Sequence, residues 1–287
     1  MMETTHKPAR PWGVALFYLA FMAATVGGFW AIHWKMEVAS EHGKGVDNMI
    51  LFLLIATGVM FVAGHAVTAW FLVGSRREGS FRAPSPRAEW TATLVPILIV
   101  VIAAEAGVLT IGMPVWAQIA ANDPDAVRIR IVGKQFEWVA HYCGPDGKWS
   151  EYDPKEVDGA LNPIGIKDAD YSDDIVAPGV IIVPLGRTVQ IQIRSMDVLH
   201  SFTVPMWRTK QDAVPGMPTR TQVKPTREGT YEVVCAEICG LGHYKMRAFV
   251  AVVPEAEFKT AMESQDDYDA LVEKLKKSGR FKVARPE

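Results

Sequence analysis

Three long apolar runs occupy most of the first 116 residues and restrict what that part of the chain can be. They are "WGVALFYLAFMAATVGGFWAI" from Trp12, "NMILFLLIATGVMFVAGHAVTAWFLV" from Asn48 and "WTATLVPILIVVIAAEAGVLTIGMPVW" from Trp90. A helix needs about 20 apolar residues to cross a bilayer. In lipid the backbone must satisfy its own polar groups, which a helix does within one segment. The runs therefore predict membrane helices over about 12–33, 48–73 and 90–116, in a transmembrane region 1–122. Trp12, Trp30, Trp34, Trp70, Trp90 and Trp116 near their ends form an interfacial belt. Lys7 and Arg10 precede the first run, and Arg76, Arg77, Arg82 and Arg87 lie between the second and third. By the positive-inside rule these face the cytoplasm, so the chain after Trp116 lies outside. The expected location is a bacterial inner membrane, crossed several times, with the C-terminal part in the periplasm. The first run exceeds the apolar core of a signal peptide and "EVASEHG" is a poor cleavage site, so it is expected to remain as a helix.

From Ala126 the pattern changes. "AVRIRIVG", "FEWVAHY", "VIIVP", "RTVQIQI", "HSFTVP", "TYEVVC" and "RAFVAVV" read as strands, separated by Gly and Pro turns such as "APG", "VPG" and "REG". Short strands so punctuated predict an antiparallel sandwich or small barrel over 126–254. A segment over about 143–178, rich in Asp, Gly and Pro, is expected to be a surface loop, acidic at "KDADYSDD". Residues 255–287 carry helical propensity with basic residues late, and form a helical extension. The net charge of −2 comes without a basic stripe or a nucleic-acid motif, which excludes nucleic acid as a partner.

The chemistry concentrates in "YEVVCAEICGLGHYKM", residues 231–246. A disulfide between Cys235 and Cys239 would suit an oxidising compartment but leaves His243 and Met246 as coincidence. Zinc uses the thiols and the imidazole but has little use for a thioether. Copper uses all four, since soft thiolate and thioether ligands with imidazole select it. One copper needs only one of the cysteines; the second thiolate points to two coppers bridged by two sulfurs. Each copper then calls for an imidazole. His200, in "SMDVLHSFTVP" at the start of a predicted strand, is the candidate for the second; His141 fits less well, and His6, His33, His42 and His65 belong to the membrane half.

"EWTATLVPILIVVIA", "DVLHSFTVP", "KQDAVPGM" and "EGTYEVVCAEICGLGHYKM" together resemble cytochrome c oxidase subunit II of the haem–copper oxidases, from about Trp90 to Pro254. The resemblance implies an α+β membrane protein: N-terminal transmembrane helices followed by a cupredoxin-like Greek-key β-sandwich or barrel. It implies a dinuclear copper centre, CuA, bridged by Cys235 and Cys239. His200 and Met246 would complete one copper, and His243 with the carbonyl of Glu237 the other. The Glu237 side chain would reach a Mg or Mn ion shared with subunit I. The implied partners are the haem–copper subunit I, other oxidase subunits, membrane lipid and, because the copper ligands are present, cytochrome c as donor. The implied role is passing electrons to subunit I for oxygen reduction. A CuA subunit of a nitric oxide reductase is the alternative, since the partner sets the chemistry.

Departures from the family pattern are three. This chain has three predicted helices where most members have two. Arg87 stands where members often carry a glutamate leading to a proton channel, with Glu89 beside Trp90. Phe136, in "GKQFEW", stands at the tryptophan through which electrons usually reach the copper, with Trp138 two residues on. Asp197 and Asp212 match acidic positions near the copper loop and are expected to dock a basic cytochrome. Cys143 reads as an ordinary thiol. Glu105 and His65, ionisable groups inside predicted helices, read as packing positions against a neighbouring subunit.

Overall fold

The computed structural model describes residues 12–32, 36–74, 84–144, 147–159, 161–167 and 173–279. Lys7, Arg10, Trp34, Arg76, Arg77, Arg82, His6, His33 and residues 168–172 of the acidic "KDADYSDD" stretch lie outside them. The chain divides into a helical unit, drawn from Met1–Lys35 and Asp47–Met113, and a β unit, from Met36–Val46 and Pro114–Glu287.

Among the described residues three helices are long and apolar enough to cross a membrane. The first is α1 (Trp12–Ala31) and the second α2 (Glu41–Gly74); the third joins α3 (Pro86–Gly107), a π-helical turn (Val108–Gly112) and α4 (Met113–Ala120). Ser85 caps α3, accepting the Ala88 N–H, and Pro86 follows at the first helical position, where a missing N–H costs nothing. Within the helical unit His65 bonds the Phe61 carbonyl through Nδ1 and packs on the rings of Phe61 and Tyr18. A side chain at Gly107 would overlap the Phe52 ring, so glycine there lets α2 and α3 approach. Glu105 lies on an exposed side of α3.

The β unit is a sandwich of two five-stranded sheets. One holds β1 (Val127–Lys134), β2 (Glu137–Tyr142), β3 (Ile175–Pro178), β5 (Val189–Ser195) and β8 (Thr219–Val223), in the order β3-β2-β1-β5-β8. The other holds β4 (Val180–Pro184), β6 (His200–Val204), β7 (Thr209–Ala213), β9 (Gly229–Cys235) and β10 (Arg247–Val253), in the order β4-β10-β9-β6-β7. All seven expected strands are present. The expected antiparallel pairing needs one correction: each sheet contains a parallel pair, β1 with β5 and β10 with β4. Such pairs need crossover connections, which alternation within a strand does not reveal.

Period-2 alternation builds the core. Along β5, Val189, Ile191 and Ile193 point inward, with Gln190 and Gln192 outward. They meet Ile129, Ile131, Trp138, Phe202 and Val233, all fully buried, each worth about 1.5–3 kcal/mol. β3, β7 and β8 were not anticipated, because "TKQDA" and "TRTQV" hide short inward sets (Thr209 and Ala213; Thr221 and Val223) among polar residues.

The 143–178 segment is more than a surface loop. Ile164 and Ile166 close a second, smaller core with Val132 and Val139 on the outer face of the first sheet, and β3 pairs with β2. The helical extension is two helices, α5 (Glu255–Ala261) and α6 (Gln265–Lys277), broken where Ser264 caps α6 by accepting the Asp267 N–H. Residues ahead of α2 are stitched into the sandwich: Ala39 N–H donates to the Met206 carbonyl at 2.8 Å, Thr226 N–H to the Ala39 carbonyl at 2.9 Å, and the Ser40 hydroxyl to the Trp207 carbonyl at 2.7 Å.

Candidate metal centre

Three neighbouring strands of the second sheet end at one place, and alternation decides which side chains they deliver there. On β6, His200 shares the inward face with Phe202 and Val204. Phe202 sits opposite Cys235, so His200 and Cys235 are diagonal neighbours on that face. Cys235 extends the inward set of β9 beyond Tyr231 and Val233, and Met246 precedes the inward set of β10, Ala248 and Val250. The Cys235 N–H donates to the Met246 carbonyl at 3.2 Å, which closes the loop between them.

The donor atoms converge. Cys239 Sγ lies 3.9 Å from Cys235 Sγ, 3.6 Å from His243 Nδ1 and 3.7 Å from Met246 Sδ. Cys235 Sγ lies 3.2 Å from the Glu237 carbonyl oxygen. The ligand atoms of His200, Cys235 and Cys239 all fall within 4.8 Å of one another. His200, Cys239 and Met246 are buried, Cys235 and His243 half-buried, and the Glu237 carboxylate side is exposed.

The buried ends of this set are left wanting a cation. His200 Nδ1 is buried without a hydrogen-bond partner, while its Nε2 is engaged by Asp197. With the proton on Nε2, Nδ1 presents a bare lone pair to the cluster. Burial, and then the neighbouring Cys235, push the Cys239 thiol up to about 11. Two thiolates this close are stable only beside positive charge. Soft sulfur donors with imidazole suit a copper-type ion.

Asp197 organises one side. Its carboxylate accepts the Gln135 N–H at 2.7 Å, the Val198 N–H at 2.6 Å and bonds His200 Nε2 at 2.7 Å. Burial acts to raise its pKa, but these bonds outweigh it and hold the carboxyl below the usual range. The Gln135 side chain also reaches the loop, donating to the Cys239 carbonyl at 2.5 Å.

Phe136 occupies the two-residue turn between β1 and β2, ahead of the strand it was expected to join. It is 37% exposed, and its ring lies against Gly240 and Gly242 of the metal loop. Trp138 is fully buried, with its ring centroid 5.8 Å from that of His200 and 5.5 Å from that of Phe202. Asp212 accepts from the Ser201 hydroxyl at 2.7 Å and pairs with Lys210 at 2.7 Å, which lowers its pKa.

The family model described as "Cytochrome C oxidase subunit II, periplasmic domain" matches residues 127–253. An alternative cytochrome c oxidase subunit 2 of Bradyrhizobium diazoefficiens is 33% identical over 259 residues, covering 88% of this chain and 89% of that protein. This chain belongs to the cytochrome c oxidase subunit II family. Cytochrome c oxidase subunit 2 of Thermostichus vulcanus is 30% identical, over 88% of this chain and 84% of that one. A crystal structure of the periplasmic domain of subunit II from Bradyrhizobium japonicum is 27% identical, covers 50% of this chain and 97% of that chain, and aligns with a TM-score of 0.37.

In this subunit II chain the six positions expected as ligands are brought together. Two positions take contacts that sequence reasoning did not assign. Gln135 reaches both Asp197 and Cys239, and the only sequence signal for it is its place before Phe136 in "GKQFEW". Asp197 is read from sequence as a docking acid, yet all its acceptor contacts here point to the site's own frame.

Proposed function

We propose that this chain is subunit II of a terminal cytochrome c oxidase in a bacterial inner membrane, and that its loop holds a dinuclear copper centre between cytochrome c and the haem–copper subunit I. The observation that carries the reading is a buried His200 with an unpartnered Nδ1, clustered within 4.8 Å of two thiols whose neighbours are an imidazole and a thioether. Cys235 and Cys239 would bridge, His200 and Met246 would serve one copper, and His243 with the Glu237 carbonyl the other. Such a centre, when bound, supplies one-electron chemistry with the charge change shared by two metals.

The protein's part is to keep the ligands still. His200 and Cys235 sit on strand ends of a packed sandwich, Met246 directly precedes β10, and Asp197 bonds the His200 ring. A shell so supported loses little energy to rearrangement when charge changes. Around the loop Ile238 and Leu241 are 84% and 97% exposed, and Tyr244 projects beside them. An apolar rim of this kind suits a partner that docks closely and excludes water. Phe136 stands between solvent and the loop, the position for a ring that shortens the path from a docked donor. Asp197 and Asp212 would contribute to the attraction of a basic donor, and the exposed Glu237 carboxylate to a Mg or Mn ion at the subunit I boundary. Glu105, exposed on a helix that lipid would otherwise cover, would pack against a neighbouring subunit.

Loading the full chain with copper in detergent tests this. Two coppers per chain and an electron paramagnetic resonance signal from one unpaired electron shared by two equivalent coppers are expected. Cys239→Ser should bind at most one copper with a single-copper hyperfine pattern. A single-copper pattern in the parent chain, or no retained copper, would refute the proposal.

A further inference from the structure

The outer face of the first sheet carries two arginines in very different states. β1 presents Arg130 there, and β5 presents Gln192 and Arg194. Arg130 is fully occupied: Nε donates to Gln192 Oε1 at 2.8 Å, Nη1 to the Ser150 carbonyl at 3.2 Å, and its guanidinium lies over the Trp149 and Tyr152 rings at 4.5 and 4.8 Å. Asp174, a buried carboxylate of this face, is also spoken for, by His141 at 2.8 Å, the Ser150 hydroxyl at 3.0 Å and the Gly144 N–H at 3.0 Å. Arg194 has no such arrangement. Its Nε is buried without a hydrogen-bond partner, and it pairs with no carboxylate among the described residues. Its ring contact with Tyr152, at 5.9 Å, is loose.

A desolvated guanidinium nitrogen with no acceptor is unfavourable, and an acceptor brought by a ligand would relieve it. Burial lowers the Arg194 pKa, and the nearby Arg130 charge adds to the effect. Arg194 lines a cleft of about 210 Å³ whose walls include Val132, Ile164, Met196, Val214, Met217 and Pro218. None of the cleft residues belongs to the metal loop. The cleft thus combines one unneutralised guanidinium with a mostly apolar surround.

We propose that this cleft binds a small amphipathic monocarboxylate, with the carboxylate on the Arg194 fork and the hydrocarbon part against the Val–Ile–Met–Pro wall. A carboxylate matches the fork with two parallel N–H···O bonds and brings one negative charge to one unpaired positive one. A tetrahedral dianion would want several more donors; the other polar side chains of the cleft, Tyr152 and Ser195, already bond His141 and the Val198 carbonyl. The volume, below the roughly 300–1,000 Å³ of pockets for larger ligands, restricts the hydrocarbon part to a single ring or a short chain.

The test is saturation-transfer NMR and calorimetry on the full chain in a neutral detergent, with benzoate as probe and benzamide and inorganic phosphate as comparisons. Benzoate should bind in preference to both. Arg194→Gln should weaken benzoate by about tenfold or more, and Arg194→Lys, which keeps the charge but loses the fork, should fall between. Met217 is an exposed turn residue, so Met217→Trp should obstruct the cleft without disturbing the core, and should also abolish binding. Equal binding of benzoate and benzamide, unchanged affinity in a folded Arg194→Gln chain, preference for phosphate, or no benzoate binding at millimolar concentration would each overturn the proposal.

Discussion

Asp197 Oδ1 lies 2.7 Å from His200 Nε2, and Nδ1 of the same ring is buried without a hydrogen-bond partner. The bond engages one ring nitrogen and leaves the other available as a ligand. A carboxylate behind a metal-binding histidine sets both its orientation and its basicity. Asp197→Ala should therefore weaken copper retention about 10–100-fold, measured by competition with a chelator of known affinity. Asp197→Asn should lose less, because an amide oxygen in the Oδ1 place still accepts from the Val198 N–H and His200 Nε2, and only the Oδ2 contact with the Gln135 N–H is lost. Unchanged affinity in both variants would show that the sandwich alone holds His200.

Gly240 has φ +132°, and a Cβ there would come within 2.8 Å of Gln135 Nε2 and 3.2 Å of the Phe136 ring. Gly240→Ala should strain the loop by about 1–3 kcal/mol. It should also break the bond from Gln135 to the Cys239 carbonyl. The expected readouts are a lower denaturation midpoint and faster copper loss, with the fold of the sandwich retained by circular dichroism.

Phe136 and Trp138 separate cleanly by burial. Phe136→Leu removes a half-exposed ring and should leave stability nearly unchanged while slowing electron transfer from a docked cytochrome well over about tenfold, as stopped-flow absorbance would record. Trp138→Leu opens space in the core and should cost about 2–4 kcal/mol. A normal transfer rate in Phe136→Leu would remove this ring from the path.

Docking by charge gives a different signature. Lys210 already offsets Asp212, at 2.7 Å. Asp212→Asn would leave that lysine unpaired and turn the local charge positive. The on-rate of a basic cytochrome should fall and its salt dependence flatten, since exposed charges are screened over about 8 Å at physiological ionic strength. An unchanged salt profile would place the donor's contacts elsewhere.

His141 supplies a pH dependence far from the metal. Burial lowers its pKa below 6.5, against the opposing pull of Asp174 and with Arg130 adding to the lowering. The Tyr152 hydroxyl, pushed up to about 12 by burial, stays protonated and donates to His141 Nδ1, while Nε2–H donates to Asp174. Below pH 6.5 the unfolded chain takes up a proton that the folded His141 refuses. The contribution is therefore present above pH 6.5 and is lost as pH falls toward the depressed folded value. The unfolding free energy from urea titrations should drop on acidification through that window, by up to about 1.4 kcal/mol per pH unit. His141→Gln should be less stable at neutral pH and show a shallower slope. An unchanged slope would mean that His141 is charged in the folded chain.

Much of this was readable from residue order alone, because it depends on local repetition. An apolar run of sufficient length reads as a membrane helix, and alternation marks seven strands and their inward faces. Cys235, Cys239, His243 and Met246 announce a soft-metal loop because their donor types occur within one short stretch. His200 was reachable too, as a histidine heading a strand before that loop. The tertiary structure decided what depends on residues distant in sequence. It supplied the parallel pairs, the second core under Ile164 and Ile166, and the stitching of Ala39 and Ser40 into the sandwich. It also gave Asp197 to His200, Gln135 to Cys239 and the Phe136 ring to Gly240 and Gly242. Strands β7 and β8 belong with these, since their few inward residues become legible only once β5 and β6 lie beside them. Periodicity records which way a side chain points along its own strand; which partner it meets depends on strand order and register, set by packing across the whole sandwich.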